Sequence, residues 1–372
     1  AVVAEYPERG CFINWTAHEF GRRIIFQARM AHVFCLCHLN ATPKTGPPAM
    51  AEYRTPPETM KEELEGLYGK LDPLYLDPGF RVTDVSIWKE PKKALEPAQW
   101  KWSEGRAALE AVARVVGLEL AERRNLIMRN PAEGHKYGTL RTMISAYQLM
   151  LPGEFARSHW HSPHALRVIL EGGGSYTVVN GVRINMHPGD VVLTPGSDWH
   201  WHGVEGDEAC MWLDILDRPL TIMLEPLFQD YHPDGHEPMR NVDEQSPLVF
   251  PWAESLKLLE AAMPEADGCF GARVELGASK PALPTLALHM QRLTQGQKTT
   301  RYRSSANFLY LVLEGEGRSV IDGKAFDWER GDVVVVPCWR PVEHEASSDA
   351  ILFSATDEPV QRFCGYLREE RG

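Results

Sequence analysis

The strongest constraint on this chain is that part of it is written twice. Arg167-Val-Ile-Leu-Glu-Gly-Gly-Gly174 is answered by Tyr310-Leu-Val-Leu-Glu-Gly-Glu-Gly317. Gly189-Asp-Val-Val-Leu-Thr-Pro195 is answered by Gly331-Asp-Val-Val-Val-Val-Pro337. Between the two runs each copy carries a turn, Asn180-Gly181 or Asp322-Gly323, of the kind that accepts the positive φ angles of a two-residue hairpin. Short alternating runs broken by Gly, Pro, Asn and Asp extend from Thr139 to Leu220 and again from Pro284 to Pro359. A duplicated strand-and-turn unit predicts two similar barrels or sandwiches.

The remainder of the chain reads differently. Helices are expected over Pro57 to Leu71, from Ser103 onward with Leu109, Val112 and Val116 on one face, and over Trp252 to Met263. These readings divide the chain into an atypical N-terminal extension (1–49), a helical region (50–138), a first barrel (139–220), a connector with a helix (221–283) and a second barrel (284–372). Three of the seven cysteines, Cys11, Cys35 and Cys37, fall in the extension, and Met50 just beyond it is a plausible alternative start. No spacing suggests a disulfide framework or a zinc finger, which points to a reducing compartment, the cytoplasm. No apolar run is long enough to span a bilayer. The net charge of −12 argues against a nucleic-acid partner, although local arginines can still hold an anionic substrate.

Three histidines stand out. His159 and His161 are spaced so that both side chains leave one face of a strand, and His200 follows one hairpin later. Such a set can hold one metal ion from inside a barrel while leaving coordination positions open. In the second copy the same spacing lands on Tyr302, Ser304 and Val342, so that barrel is expected to be metal-free. Arg167 shares strand parity with the pair and should face the interior, either to meet an anion or to form an ion pair with Asp214 or Glu171.

Gly153 with five residues before His159-Trp-His161, then Gly189, Pro195 and His200, resembles the two motifs of the cupin superfamily. Many cupins add a Glu four or five residues after the second His; Ala165 and Leu166 stand there, so three histidines and no carboxylate are implied. Further landmarks are Glu122-Arg-Arg124, Gln148 before Pro152-Gly-Glu154, Trp199-His-Trp-His202, Trp212-Leu-Asp214 and Pro284-Thr285. Together they make the chain, from about Trp102 onward, similar to the gentisate, salicylate and 1-hydroxy-2-naphthoate dioxygenases. The resemblance implies a mainly β double cupin with N-terminal helices. It implies one Fe(II) per subunit, held in the N-terminal cupin by His159, His161 and His200. It also implies O2-dependent cleavage of an ortho-hydroxy aromatic acid between its carboxyl- and hydroxyl-bearing carbons, no membrane partner and a homotetramer. Arg123 and Arg167 match the family's carboxylate contacts, Gln148 and His202 match residues near the substrate oxygens, and Asp214 matches an acidic position behind them. The alternatives are a buried structural histidine for His202, a satisfied core amide for Gln148 and an ion-pair partner of an Arg for Asp214.

Two departures bear on the substrate. Relatives carry Trp-Ala-Ala where this chain has Ile144-Ser-Ala before Tyr147-Gln148, and Pro-x-His-Arg-His where it has Arg157-Ser-His159-Trp-His161. Loss of the Trp would widen the pocket toward a bicyclic acid or a 5-substituted salicylate. A metal-dependent isomerase or decarboxylase, or a non-catalytic bicupin, could be built on the same fold.

Overall fold

The computed structural model describes residues 58–79, 81, 89–121, 123–277 and 282–372, together with the backbone of strands β1 (Trp15–Phe20) and β2 (Arg23–Ala28). The chain divides into two units, 1–87 and 88–372. In the first, β1 and β2 pair antiparallel. Apart from that backbone, the expected extension, with its cysteines and Met50, lies outside the described residues. One 3-10 turn leads into helix α1 (Lys61–Leu71), which buries none of its residues.

In the second unit the chain runs β3 (Ala98–Trp100), α2 (Trp102–Ala113), β4 (Arg124–Ile127), β5 (Ile144–Met150), β6 (His159–His161), β7 (Ala165–Glu171), β8 (Ser175–Val179), β9 (Val182–Met186), β10 (Val191–Thr194), β11 (His200–Val204), β12 (Cys210–Leu216), α3 (Arg218–Leu224), β13 (Gln229–Tyr231), β14 (Asn241–Val242), β15 (Val249–Phe250) and α4 (Trp252–Ala261). The second copy follows as β16 (Ala272–Leu276), β17 (Ala287–Leu293), β18 (Tyr302–Ser304), β19 (Phe308–Glu314), β20 (Glu316–Ile321), β21 (Lys324–Glu329), β22 (Val333–Val336), β23 (Val342–Ala346), β24 (Ala350–Thr356), α5 (Glu358–Phe363) and β25 (Glu369–Arg371). No helix of the described residues is long and apolar enough to cross a membrane.

These strands form two barrels built on one plan. The first barrel pairs a sheet ordered β15-β10-β7-β12-β5-β4 with one ordered β13-β6-β11-β8-β9-β14; the second pairs β16-β17-β24-β19-β22-β3 with β21-β20-β23-β18-β25. The hairpin turns fall where the dipeptides place them, with φ of 48° and 78° at Asn180-Gly181 and 49° and 84° at Asp322-Gly323. Even the irregularities repeat, since the ladder shifts register between β7 and β12 and again between β19 and β24. Both barrels recruit strands from outside the alternating blocks. β4 comes from the stretch read as helical, and β13 to β16 come from the connector.

Strands β7, β12, β19 and β24 are buried almost end to end because both of their faces are covered. One set of side chains fills a barrel. The other, including Leu166, Val168, Leu213, Leu309, Leu311 and Phe353, joins a single apolar cluster shared by the two barrels.

Two strand–helix arms tie the barrels together. β3 pairs with β22 of the second barrel, while the following α2 packs on β4 and β5 of the first. Reciprocally, β15 pairs with β10 of the first barrel, while α4 packs on β16 and β17 of the second. Each helix begins with a Trp whose N–H donates to the Asp of a repeated Gly-Asp: Trp102 to Asp332 Oδ1 and Trp252 to Asp190 Oδ1, both at 2.8 Å. The helix expected from Ser103 starts one residue earlier: Lys101 holds the cap position, and the donor is satisfied from the other barrel. The adjacent glycines make room. A Cβ on Gly189 or Gly331, both near φ +90°, would stand 2.6 or 2.4 Å from the Trp252 or Trp102 ring.

Candidate metal centre and substrate cavity

β6 and β11 are neighbours, with His200 directly opposite His159. Because i and i+2 share a strand face, His161 joins them, and the candidate ligand nitrogens all lie within 4.8 Å of one another. Each ring is oriented through its other nitrogen. Nδ1 of His159, His161 and His200 meets the carbonyl oxygens of Arg157, Pro163 and Asp198 at 2.9, 2.8 and 2.9 Å. A carbonyl only accepts, so each Nδ1 carries the proton and each Nε2 keeps its lone pair for a ligand. Burial, followed for His159 by the Arg123 charge, lowers the pKa of His159 to about 3. Burial lowers that of His161 to about 4 against its carbonyl bond, and drives that of His200 well below the ordinary value. All three are neutral at pH 7, the form that binds a metal.

Beside the histidines lies a cavity of about 130 Å³. His161, His200, Arg123, Gln148, Arg167 and Asp214 line it; His159 and His202 do not. Arg123 and Arg124 are neighbours with opposite roles. Arg124 is buried and bonded to Glu154 and to Val116 O, whereas Arg123 borders the cavity with no hydrogen bond or ion pair among the described residues.

Arg167 takes the ion-pair alternative, with Asp214, and also borders the cavity. Its Nε donates to Asp214 Oδ1 at 3.2 Å and its Nη1 to Thr194 Oγ1 at 2.9 Å, while Nη2 has no partner among the described residues. Glu171, the other candidate partner, instead receives Trp102 Nε1 and Arg106 Nε. Asp214 is the hub of the network, accepting also from Trp212 Nε1 at 3.0 Å and from Gln148 Nε2. That leaves Gln148 Oε1 buried without a partner among the described residues. His202, fully buried beneath His200, meets Thr177 Oγ1 through Nδ1 at 2.8 Å; its Nε2 too is unpartnered. Burial, then Arg167 and Arg123, hold its pKa well down. An unpaired buried polar atom costs about 1–3 kcal/mol, so Gln148 Oε1 on the cavity wall points to a bound partner.

Other lining residues were not anticipated. Asn125 and Ile127 share strand parity with Arg123, and Leu216 shares it with Asp214, so alternation could have found them. Tyr137 and Arg218 come from a loop and a helix start, where no periodicity speaks for them. Arg218 brings the cavity to three arginines against the single carboxylate of Asp214, an anion-attracting balance in an acidic protein.

The chain is similar to known proteins. The cupin domain model matches residues 146–216. The chain is 33% identical over 341 residues to gentisate 1,2-dioxygenase 1 of Aquipseudomonas alcaligenes, covering 85% of this chain and 98% of that one. It is 33% identical over 343 residues to the 5-aminosalicylate 1,2-dioxygenase of a Comamonas species, covering 84% and 92%. A mutant salicylate 1,2-dioxygenase from Pseudoaminobacter salicylatoxidans, solved in complex with gentisate, superposes with a TM-score of 0.79 at 26% identity, covering 85% and 96%. With its barrels, its histidine cluster and these likenesses in hand, the chain belongs to the gentisate and salicylate 1,2-dioxygenases, bicupin enzymes that cleave an aromatic ring.

Proposed function

We propose that His159, His161 and His200 hold one Fe(II) in the N-terminal barrel, and that the adjacent cavity takes an ortho-hydroxy aromatic acid of the gentisate and 5-aminosalicylate type. The single observation that carries this reading is the pairing of three neutral, carbonyl-oriented imidazoles with an arginine-lined cavity. Three imidazoles with no carboxylate suit a divalent transition metal. When bound, Fe(II) supplies the activation of O2 and of the chelating substrate oxygens. The product keeps both atoms of O2 across the broken carbon–carbon bond.

The protein's own groups do the rest. Arg123 and the free Nη2 of Arg167 neutralise the substrate carboxylate. Asp214 fixes Arg167 and Gln148, so that Gln148 Oε1 is presented as an acceptor for a substrate hydroxyl. His202 offers Nε2 as a second acceptor, its proton being held on Nδ1 by Thr177. Ile127, Ile144, Ala146 and Leu216 give the ring an apolar wall. Ile144, standing where relatives have a Trp, favours a broadened substrate range that includes 1-hydroxy-2-naphthoate.

The test is a panel of gentisate, 5-aminosalicylate, salicylate and 1-hydroxy-2-naphthoate on anaerobically iron-loaded protein, following O2 uptake and the absorbance of the ring-opened keto acid. Stoichiometric O2 uptake is expected, and His161→Ala should lose iron and turnover together. Turnover confined to gentisate would remove the case for a broadened pocket. The homotetramer and the cytoplasmic location belong to the same reading, and light scattering on the purified protein checks the first.

A further inference from the structure

The second barrel repeats the interior of the first, position for position. Cross-strand pairing sets Gln291 in the place of Gln148, Ser354 in that of Asp214, Tyr310 in that of Arg167 and His344 in that of His202. The Thr177–His202 bond is reproduced by Ser319 and His344, at 2.8 Å in each. The Arg167–Asp214 charge pair is gone. In its stead a cation enters from the sheet edge: Arg273 of β16 is the direct cross-strand partner of Gln291 and shares its face.

What this interior lacks is protein partners. Seven buried polar atoms here have none among the described residues: Arg273 Nε and Nη2, His289 Nδ1, Gln291 Oε1 and Nε2, Tyr310 OH and His344 Nε2. His289, Gln291, Tyr310 and His344 are each more than nine-tenths buried. They also lie together. His289 and Gln291 are two apart on β17, and Ser354 stands between His289 and Tyr310 in one cross-strand row. Tyr310 and His344 are in ring contact at 4.7 Å. The Arg273 charge is felt by both His289 and Tyr310. Packed cores do not gather orphaned polar atoms in one place.

The chemistry of the gap follows from the donors. Nε and Nη2 form the side-on edge of a guanidinium that a carboxylate takes with two parallel hydrogen bonds. No carboxylate among the described residues takes that edge, and the guanidinium carbon rests 4.0 Å from the Phe270 ring centroid. Gln291, Tyr310 and His344 offer both donors and acceptors for whatever polar atoms the acid carries besides. We propose that the second barrel is a binding site for one small carboxylate anion, seated on the Nε–Nη2 edge of Arg273 and on Gln291, Tyr310 and His344.

Trifluoroacetate is a small carboxylate probe, and its 19F resonance can be titrated against the iron-loaded protein. Saturable binding is expected. Arg273→Met should weaken it about tenfold or more, as for the loss of a charge-assisted bond. Gln291→Leu, which removes two orphaned atoms, should also weaken it while raising the Tm of the anion-free protein. Both variants should keep their iron and their ring-cleaving turnover, because neither residue is in the first barrel. Absence of saturable binding by the parent protein would mean that the cluster holds water alone and would overturn the proposal. A titration left unchanged by either folded variant would overturn it as well.

Discussion

Replacing Asp214 with Asn removes one charge from a pair whose members are only 2% and 4% exposed, Arg167 and Asp214. Asparagine keeps the shape, and its Oδ1 can still accept from Arg167 Nε and Trp212 Nε1. Its amide nitrogen, however, would face Gln148 Nε2, donor against donor, until the glutamine flips. Breaking a buried pair from one side costs about 3–5 kcal/mol, mostly for the charge left behind. The glutamine flip recovers part of this, so about 3 kcal/mol is expected for Asp214→Asn. Arg167→Met alone leaves the opposite charge stranded and should cost a similar amount. The double variant strands neither and should cost less than the two singles together by about 2 kcal/mol, within the usual range for coupled neighbours. Urea unfolding of the three metal-free variants and the parent closes the cycle without a contribution from bound iron. Turnover of the iron-loaded proteins should be lost in all three, since each disturbs the carboxylate contact. A single-variant cost below about 1 kcal/mol, or additivity within about 0.5 kcal/mol, would refute the pairing as the organising contact of the cavity.

Other expectations concern the ligands, the cavity and the arms. The folded pKa values of His159 and His161, about 3 and 4, lie below the ordinary 6.5, so their stabilising contribution is complete above pH 6.5 and is lost as the pH falls through the folded values. Metal-free stability and bound iron should therefore both decline on acidification below pH 6.5; urea midpoints and dialysis-equilibrated iron content from pH 7 to 4 check this, and a midpoint that rises would contradict it. Arg123→Ala should raise the KM for an aromatic carboxylate about tenfold or more while iron content holds, as steady-state kinetics would show. Gly331→Ala, with its Cβ driven into Trp102 and a φ of +89°, should lose about 2–4 kcal/mol in chemical denaturation.

What the sequence announced and what it withheld follow a physical divide. The His-x-His pair, the hairpin turns and the Gly-Asp-to-Pro strands are short-range patterns, each set by side-chain parity or by one turn's φ angles, and they were legible with their duplication. The edge strands were not. β3 has three residues and β4 four, too few for a period, and each exists only because a distant strand offers its ladder. The start of α2 was misread for the same reason: Ser103 has the right chemistry for a cap, but Asp332, far along the chain, already holds the donor. In the cavity, strand parity supplied Arg167, and the family resemblance supplied Arg123, Gln148 and Asp214. Parity could not supply Tyr137 and Arg218, which approach from a loop and a helix start.

The two straddling arms bear on how such a chain could be cut or rearranged. Severing it near residue 245 would yield halves that each carry a strand belonging to the other: the first would keep β3 without its ladder on β22, and the second would keep β15 without its ladder on β10. Neither fragment would be a finished barrel on its own, yet the pair would hold complementary parts and could reassemble when expressed together. An ancestor consisting of one such half would have met the same need by trading arms with an identical neighbour, and fusing two copies end to end would have made that exchange permanent within a single polypeptide.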